Sequence, residues 1–353
     1  MKQDIKSLLL PELVEYFISV GEKQFRAQQV FSWLHKGVES FNEMTNLSAE
    51  LREKLDNNFF ISKPTIVKKQ VSSIDNTTKY LYSVQEGDTV ECVLMSYSHG
   101  NTICISTQIG CRMGCIFCAS SKDGFKRNLH PSEILDQVLF TQKDSGKRIS
   151  NIVLMGIGEP LDNFDNVMKF IQLICHPAGM NIGARHITIS TCGIVENIDR
   201  LAIYDVQLTL AISLHAPDDE TRSLIVPVNK NVGVNKLIEA SQRYFNKTGR
   251  RVTYEYAMMD GINDFPFQAE MLSRLLDKKS SHLNLILMSI IDECDFRPSS
   301  KENLSEFTNI LKRNGINYTI RRSLGADIDA SCGQLRRRIL NNIATAKEII
   351  TSK

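Results

Sequence analysis

The sequence TICISTQIGCRMGCIFCAS, residues 102–120, joins a β-rich run to three closely spaced cysteines. Cys111, Cys115 and Cys118 are separated by three and then two residues. Iron–sulfur clusters are held by cysteine thiolates, usually four, so three leave one iron of a [4Fe–4S] cube open to bind a small molecule. The spacing therefore predicts a catalytic cluster. The alternative is a structural zinc site, which normally takes four ligands from two CxxC-type half-sites.

The chain after this loop alternates between short β-rich runs and longer amphipathic segments. Strand-then-helix repetition implies a parallel sheet with crossover helices. We therefore predict an α/β fold, a partial TIM-like (β/α) barrel of six or seven units, with its site at the C-terminal ends of the strands. The cysteine loop begins directly after the first strand, where that rule puts a site. The predicted strands are Thr102–Thr107, Asn151–Met155, Arg185–Ser190, Gln207–Ser213, Arg251–Met258, His282–Met288 and Asn317–Arg321.

The first part of the chain has a different pattern and is predicted to be a small N-terminal α+β accessory domain. Val30, Trp33 and Leu34 fall on one face of a helix. Ser48 is a predicted N-cap for a second helix. Three β-rich runs follow, at Thr65–Val71, Lys79–Val84 and Val90–Tyr97.

The chain has 353 residues, which is long enough for one barrel and an accessory piece. The predicted divisions are an accessory domain at 1–98, a barrel with a C-terminal cysteine loop at 99–340, and a tail at 341–353.

The composition is that of an ordinary soluble globular protein, with 42% hydrophobic and 23% charged residues. A formal net charge of +2 neither requires nor excludes a nucleic-acid partner. The first residues contain only a three-leucine run before Pro11, so no export signal is expected. No apolar run approaches the ~18 residues of a membrane span. We predict a thiol-reduced, cytoplasmic protein with no membrane partner.

The second predicted strand ends in MGIGEPLDN, residues 155–163. Gly156 and Gly158 let the backbone approach a ligand closely, and Glu159 adds a carboxylate at the same strand end. A glycine-rich turn is weak support by itself. After a three-cysteine loop, however, it resembles the motif by which radical S-adenosylmethionine (radical SAM) enzymes hold the amino end of that cofactor.

The whole pattern resembles the RlmN/Cfr family of radical SAM adenine methyltransferases, over about residues 25–340. The GEP at residues 158–160 and the SLHAP at residues 213–217 look more like the RlmN branch than the Cfr branch. The matching stretches, in the family's order, are FRAQQVFSWLHKGV, VECVLM, CISTQIGCRMGCIFCAS, GFKRNL, MGIGEPLDN, ITISTCGI, AISLHAPDDETRSLIVPVN and DIDASCGQLRRR.

This resemblance implies a radical SAM barrel that methylates C2 of an adenine in 23S rRNA, at the peptidyl-transferase centre, and C2 of the adenine at position 37 of tRNA. C2 is an electron-poor carbon and cannot attack a sulfonium methyl group directly. The family therefore places the methyl group first on a nucleophilic cysteine, which corresponds to Cys332. A 5′-deoxyadenosyl radical activates that methyl group, which then joins protein to RNA. The alternatives are Cfr-type C8 methylation of the same rRNA adenine, which can confer antibiotic resistance, and a non-catalytic zinc or RNA-binding protein on the same barrel.

Two residues match the roles that release the RNA. By the resemblance Cys104, seven residues before Cys111, is the resolving cysteine and would form a disulfide with Cys332. Glu91 corresponds to the general base. From the residues alone, Cys104 would instead be interpreted as a buried strand cysteine and Glu91 as an exposed strand residue.

The resemblance also implies a set of cofactor contacts. At the position of Ser289 the family usually has an asparagine, and serine keeps a hydroxyl but loses reach. His215 alone would be interpreted as a hydrogen-bonded barrel histidine. The implied S-adenosylmethionine contacts are Gly158, Glu159, Ser190, Ser213, Leu214, His215 and Ser289.

The implied partners are 23S rRNA, tRNA and an electron donor such as flavodoxin or ferredoxin, and the protein is expected to be a monomer. Basic residues flank both cysteine loops, which suits phosphate binding, although a solvated surface is the alternative. These residues are Lys122, Lys126, Arg127, Arg336, Arg337 and Arg338. The remaining cysteines, Cys92, Cys175, Cys192 and Cys294, are predicted to be buried structural thiols.

Overall fold

The computed structural model describes residues 2–122, 124–204, 206–288 and 296–335. The chain begins with a small unit in which helices pack around an apolar centre. Val30 and Leu34 of the predicted helical stripe are buried there, and Trp33 packs against the same centre. Its elements are β1 (Gln3–Asp4), α1 (Leu10–Ser19), α2 (Phe25–Leu34), α3 (Ala49–Asn58) and β2 (Phe59–Phe60), with β1 parallel to β2.

The predicted N-cap of the third helix is confirmed. The hydroxyl of Ser48 accepts the backbone N–H of Leu51 at 3.2 Å, which satisfies one of the free donors at the start of α3.

Three antiparallel strands follow this unit and belong to the barrel sheet. They are β3 (Thr65–Val71), β4 (Thr78–Ser83) and β5 (Thr89–Tyr97), and β5 pairs antiparallel with the next strand, β6 (Gly100–Cys104). The expected domain boundary at residue 98 falls in the turn of that hairpin, where backbone hydrogen bonding continues without a break. The structure therefore favours a boundary just before β3.

From β6 onward the chain alternates strand and helix, as predicted. A two-stranded antiparallel ribbon of β7 (Gln108–Ile109) and β8 (Arg127–Asn128) brackets the cysteine loop. The remaining strands are β9 (Ile149–Leu154), β10 (Ile187–Thr191), β11 (Thr209–Ser213), β12 (Val252–Met258), β13 (Ser281–Leu287) and β14 (Tyr318–Arg321).

The helices between these strands cover the outside of the sheet. They are α4 (Pro131–Ser145), α5 (Phe164–Cys175), α6 (Val195–Ile203), α7 (Asp219–Ile225), α8 (Asn229–Val232), α9 (Val234–Thr248), α10 (Pro266–Leu275) and α11 (Lys301–Arg313).

The sheet has ten strands in the order β14-β13-β12-β11-β10-β9-β6-β5-β4-β3. The seven from β6 to β14 are parallel, which confirms the partial barrel. Within the described residues β14 and β3 each pair on one side only, so the barrel is open. Six of the seven predicted strands agree with the structure to about two residues; the first, expected to reach Thr107, ends at Cys104.

Burial of apolar side chains between the sheet and its helices forms the main core. Ile152, Ile189 and Leu210 on neighbouring strands meet Val138 of α4 and Ile171 of α5, and all five are almost completely buried. In the parts of the chain that are described, no helix is both long and apolar enough to cross a membrane.

A buried ion pair joins the N-terminal unit to the barrel. The ammonium of Lys6 binds the carboxylate of Asp136 on α4 and donates to the backbone oxygen of Ser62 at 2.6 Å. The Ser62 hydroxyl donates to the same carboxylate at 2.6 Å. Burial raises the pKa of Asp136 to about 6, so the charged pair depends on these close partners.

Replacing Lys6 by methionine is expected to lower the free energy of unfolding by about 3–5 kcal/mol, because Asp136 would be buried without its counter-charge. Urea denaturation of the two proteins measures this difference. The double variant Lys6→Met/Asp136→Leu removes both charges and should recover most of the loss. An unchanged unfolding midpoint in Lys6→Met would show that the pair does not stabilise the fold.

Candidate active site

The three cysteines of the predicted cluster line one cavity at the carboxyl ends of the parallel strands. Cys111 is buried, and Cys115 and Cys118 are half-buried. Burial raises the pKa of Cys111 to about 12 and also raises the pKa of the other two thiols. A bound metal centre would reverse this effect, because cysteines bind metals as thiolates.

Backbone contacts hold the cysteine loop in place. Gly110 has a φ of +74°, and a Cβ atom there would lie 1.7 Å from the carbonyl oxygen of Gly124. Only glycine fits this close approach, which closes the loop on itself. On the far side, the Ile116 N–H donates to the carbonyl of Ile225 at 3.1 Å.

The ligand set suits a cluster with an open iron. Three thiols face the cavity, and soft thiolates are the usual ligands of iron–sulfur clusters. Among the described side chains, no three potential ligands converge on a point that a single metal ion would fill. The same cavity wall contains a buried carboxylate oxygen, on Glu255, that has no hydrogen-bond partner among the described residues and could accept a polar group of a ligand.

The turn after β9 brings Gly158 and Glu159 to this cavity. The φ of Gly158 is +104°, and a Cβ atom there would lie 2.6 Å from the Cβ of Gln108. One oxygen of Glu159 accepts the Leu161 N–H at 3.0 Å, and the other accepts the Cys192 N–H at 2.8 Å. Burial raises the pKa of Glu159. Glu159 therefore ties the ends of β9 and β10 together, and its contact with a cofactor stays a prediction.

Ser190 and Ser213 lie on the same cavity wall at the ends of β10 and β11, with their hydroxyl oxygens 3.4 Å apart. His215 follows β11 in the left-handed region, with a φ of 58°. Its Nδ1 accepts the Ala257 N–H at 3.0 Å, and burial lowers its pKa to about 3. The ring is therefore neutral, with its proton on Nε2.

Leu214 differs from its neighbours because its side chain is fully buried and does not line the cavity. Its N–H donates to the carbonyl of Glu255 at 3.0 Å, and its own carbonyl accepts from Arg222. Any role in binding a cofactor would be to position the backbone of His215. Ser289, the last of the implied contacts, lies outside the described residues.

Cys332 is exposed and lines the three-cysteine cavity together with two adjoining cavities. One of these, which we call the thiol cavity, is also lined by Cys104, Cys118, Val93 and Leu335. Both Cys104 and Cys332 are free thiols, and burial raises the pKa of Cys104 to about 12. The structure thus brings the two cysteines to the same cavity.

The loop that carries Cys332 is bonded directly to the cysteine loop. The carbonyl of Gly333 accepts the N–H of Ala119 at 2.8 Å. The hydroxyl of Ser120 donates to the carbonyl of Leu335 at 2.9 Å. These bonds join segments more than 200 residues apart in sequence.

The other end of this loop is held by the turn between β3 and β4. The Gly325 N–H donates to the carboxylate of Asp75 at 2.8 Å. The Ser73 N–H donates to the carboxylate of Asp327 at 3.0 Å. The hairpin of β3 and β4 therefore helps to position Cys332.

Glu91 is buried on β5, which excludes the alternative of an exposed strand residue. Its carboxylate lies 3.6 Å from the ammonium of Lys79, which also donates to the carbonyl of Asp329 at 3.0 Å. Glu91 does not line the three cavities that Cys332 lines. Lys79 links it to the Cys332 loop, and its role as a base stays a prediction.

Sequence reasoning missed two charged residues of the site. Glu255 on β12 accepts from Asn284 at 3.1 Å with one oxygen, and its other oxygen has no hydrogen-bond partner within the described chain. Arg321, at the end of β14, lies 3.9 Å from that oxygen and lines all three cavities. A thiolate at Cys332 raises the pKa of Arg321. A glutamate inside the apolar run VTYEYAM is the signal that could have found Glu255.

The candidate RNA-binding residues have different surroundings. Arg127 forms ion pairs with Asp88 and Glu133, at 2.9 and 2.8 Å, and Lys126 pairs with Asp88 at 2.6 Å. These two cations therefore stabilise the fold, whereas Lys122 is exposed. The predicted burial of spare thiols is confirmed for Cys92 and Cys192, and Cys175 is half-buried. Outside the described residues lie Cys294, Arg336, Arg337 and Arg338.

Two parts of the chain match known protein families. Residues 3–61 match the Ribosomal RNA large subunit methyltransferase N-terminal domain. Residues 105–272 match the Radical SAM superfamily. The first match ends just before β3, which agrees with the boundary that the sheet pairing favours.

Full-length relatives are also similar. A protein of Clostridium tetani named "Probable dual-specificity RNA methyltransferase RlmN" is 49% identical over 98% of this chain and 99% of its own length. One of the same name from Lachnoclostridium phytofermentans is 51% identical over 95% of each chain. A solved radical SAM methyltransferase from Sphaerobacter thermophilus has a TM-score of 0.90 and 40% identity, covering 95% of this chain and 99% of that one.

Replacing Cys111, Cys115 or Cys118 singly by alanine is expected to abolish the visible absorbance of the reconstituted cluster, since each loss leaves too few thiolates. Anaerobic reconstitution followed by absorption spectroscopy measures this. Cys175 does not line the cavity, so Cys175→Ala is the matched control and should keep the spectrum. An intact [4Fe–4S] spectrum in any of the three variants would remove that residue as a ligand.

Proposed function

The chain belongs to the RlmN family of radical SAM RNA methyltransferases, and we propose that it methylates C2 of an adenine in 23S rRNA and in tRNA, where the adenine is at position 37. The reaction proceeds through an S-methylcysteine and a covalent protein–RNA adduct. One arrangement carries the proposal: Cys332 lines both the three-cysteine cavity and the cavity that contains Cys104.

In this proposal Cys111, Cys115 and Cys118 hold a [4Fe–4S] cluster. S-adenosylmethionine would bind in the same cavity, with Ser289 as a further contact and Leu214 acting through its backbone. The residues that would contact it are Gly158, Glu159, Ser190, Ser213 and His215. When bound, the cluster and S-adenosylmethionine would supply a methyl group and a 5′-deoxyadenosyl radical.

Cys332 is the residue that carries the methyl group. Its thiolate sulfur forms a bond to the methyl carbon, and the sulfonium donor leaves as a thioether. Arg321 lines the same three cavities as Cys332 and supplies a positive charge there. The 5′-deoxyadenosyl radical would take one hydrogen atom from this methyl group, and the methylene carbon left on Cys332 bonds to C2 of the adenine. Protein and RNA are then joined through sulfur and carbon.

Two further residues release the RNA. Glu91 takes the proton from C2. The cluster held by Cys111, Cys115 and Cys118 would accept the one electron that the radical adduct has to lose. The thiolate of Cys104 then attacks the sulfur of Cys332, so that the sulfur–carbon bond breaks and its electron pair stays on carbon, which is protonated to a methyl group. The disulfide between Cys104 and Cys332 takes two electrons to be reduced for the next cycle.

The partners follow from this chemistry. The substrates are 23S rRNA and tRNA, and an electron donor such as flavodoxin or ferredoxin supplies the reducing electrons. A monomer is sufficient, because the residues invoked for one turnover all belong to one chain. The RNA substrates imply that the protein acts in the cytoplasm. The adenine has to be unstacked to reach Cys332.

The product identifies the reaction. Anaerobic reaction of reconstituted protein with methyl-labelled S-adenosylmethionine is expected to give labelled 2-methyladenosine in both RNAs, measured by mass spectrometry of nucleosides. 8-Methyladenosine would instead assign Cfr-type chemistry. No methylated adenosine, with a full cluster and cofactor turnover, would contradict the proposed substrate, and zinc in place of iron and sulfide would exclude the radical reaction.

Cys104→Ala is expected to trap protein on RNA, because the thiol that displaces Cys332 is missing. Denaturing electrophoresis with labelled RNA detects the adduct. Cys92→Ala, which removes another buried sheet thiol, serves as the control and should release product normally. Free methylated RNA from Cys104→Ala, at the wild-type rate, would disprove the resolving role. Cys332→Ala should form neither adduct nor product.

A further inference from the structure

A third cavity lies beside Cys332, on the side where the Cys332 loop meets the ends of β5 and β14. Met95, Tyr97, Arg322 and Leu324 line it together with Cys332. It has Cys332 and Arg321 in common with the other two cavities but contains none of Cys111, Cys115 or Cys118. We call it the outer cavity.

Methyl transfer through Cys332 requires two different approaches to the same side chain. The group that activates the methyl carbon acts from the three-cysteine cavity. The adenine has to reach that carbon from another direction, because two reactants cannot occupy one space. The thiol cavity is closed in by Val93, Cys104 and Leu335, all of them buried, and is needed for the resolving thiol. Of the three cavities that Cys332 lines, the outer cavity is left for the base.

The wall of the outer cavity suits a flat aromatic ring. Tyr97 is half-buried, and its hydroxyl donates to the sulfur of Met95 at 3.5 Å. The ring of His99 stacks on Tyr97, with centroids 5.1 Å apart and planes 17° from parallel. This contact holds the tyrosine ring in position. Stacking of a base on such a ring contributes about 1–3 kcal/mol and does not require hydrogen bonding to the base.

Arg322 adds an exposed positive charge at the same cavity. It follows Arg321 at the end of β14, and alternate side chains of an extended chain point to opposite sides. Arg321 reaches inward to within 3.6 Å of the Met155 sulfur. Arg322 has no ion-pair partner in the described part of the chain, unlike Arg127, and it carries the charge and geometry that bind a phosphate.

We propose that the outer cavity binds the target nucleotide of the RNA, extruded from its stack, with the adenine against Tyr97 and an adjoining phosphate on Arg322. This inference rests on the proposed function, because it names the site at which the RNA meets methylated Cys332. The energy needed to unstack the nucleotide is offset by stacking and by the charge-assisted phosphate contact.

The test compares Tyr97→Ala and Arg322→Ala with Arg251→Ala, which removes an exposed arginine just before β12, at the opposite end of the sheet. Fluorescence anisotropy with an anticodon stem–loop RNA measures affinity at several salt concentrations. Intact-protein mass spectrometry measures methylation of Cys332 without RNA.

Tyr97→Ala is expected to weaken RNA binding by about 5- to 150-fold, the range that corresponds to loss of one stacking contact. Tyr97→Phe should keep most of the affinity, because the ring is retained. Arg322→Ala should weaken binding and reduce the salt slope by about one phosphate contact, whereas Arg251→Ala should change neither. All four variants should methylate Cys332 as the wild type does, which also shows that they fold.

RNA affinity and Cys332 methylation decide separate questions. Unchanged RNA affinity in both Tyr97→Ala and Arg322→Ala would overturn the outer cavity as the nucleotide site, even if Cys332 is methylated normally. Failure of the wild type to methylate Cys332 would overturn the proposed function instead. A loss of affinity in Arg251→Ala as large as in Arg322→Ala would show only general attraction to a basic surface and would also contradict the inference.

Discussion

The hydrogen bond from the Ala119 N–H to the Gly333 carbonyl is the contact on which the site depends. Ala119 follows Cys118, the third cysteine of the cysteine loop, and Gly333 follows Cys332. This bond therefore holds Cys118 and Cys332 close to each other. The Ser120–Leu335 bond supports it one residue further along the cysteine loop. Without such bonds the loop that carries Cys332 would lose its position beside the three-cysteine cavity, because its own backbone forms only a short turn.

The three strands before the barrel have a structural role that follows from this constraint. Their turn binds the Cys332 loop through Asp75 and Ser73, and Lys79 on β4 bonds both to Asp329 and to Glu91. A buried lysine is retained where it is paired, since an unpaired charge in such a place would be costly. The antiparallel strands thus extend the sheet and also connect Glu91 to the loop that carries Cys332.

The cavities around Cys332 divide the proposed reaction in space. The three-cysteine cavity is lined by the candidate cluster thiols, by a neutral His215 and by Glu255, one oxygen of which has no hydrogen-bond partner in the described chain. Arg321 lines all three cavities and brings a positive charge to the place where they meet Cys332. Low solvent access strengthens each of these interactions relative to water. A single side chain can therefore face cofactor, RNA and resolving thiol in turn.

The cluster loop, the strand–helix alternation and, through long matching motifs, the family could all be predicted from the amino-acid sequence. These features are local, because ligand spacing in a loop and apolar periodicity are written in neighbouring residues. The folded chain was needed to show that β3–β5 join the barrel sheet and that Glu91 is buried against Lys79. It was also needed to show that Arg127 is held by Asp88 and Glu133, and that Leu214 does not line the cavity. Each of these depends on contacts between residues far apart in the chain. A local sequence pattern does not predict which distant residue will pair with a strand edge or with a charged side chain.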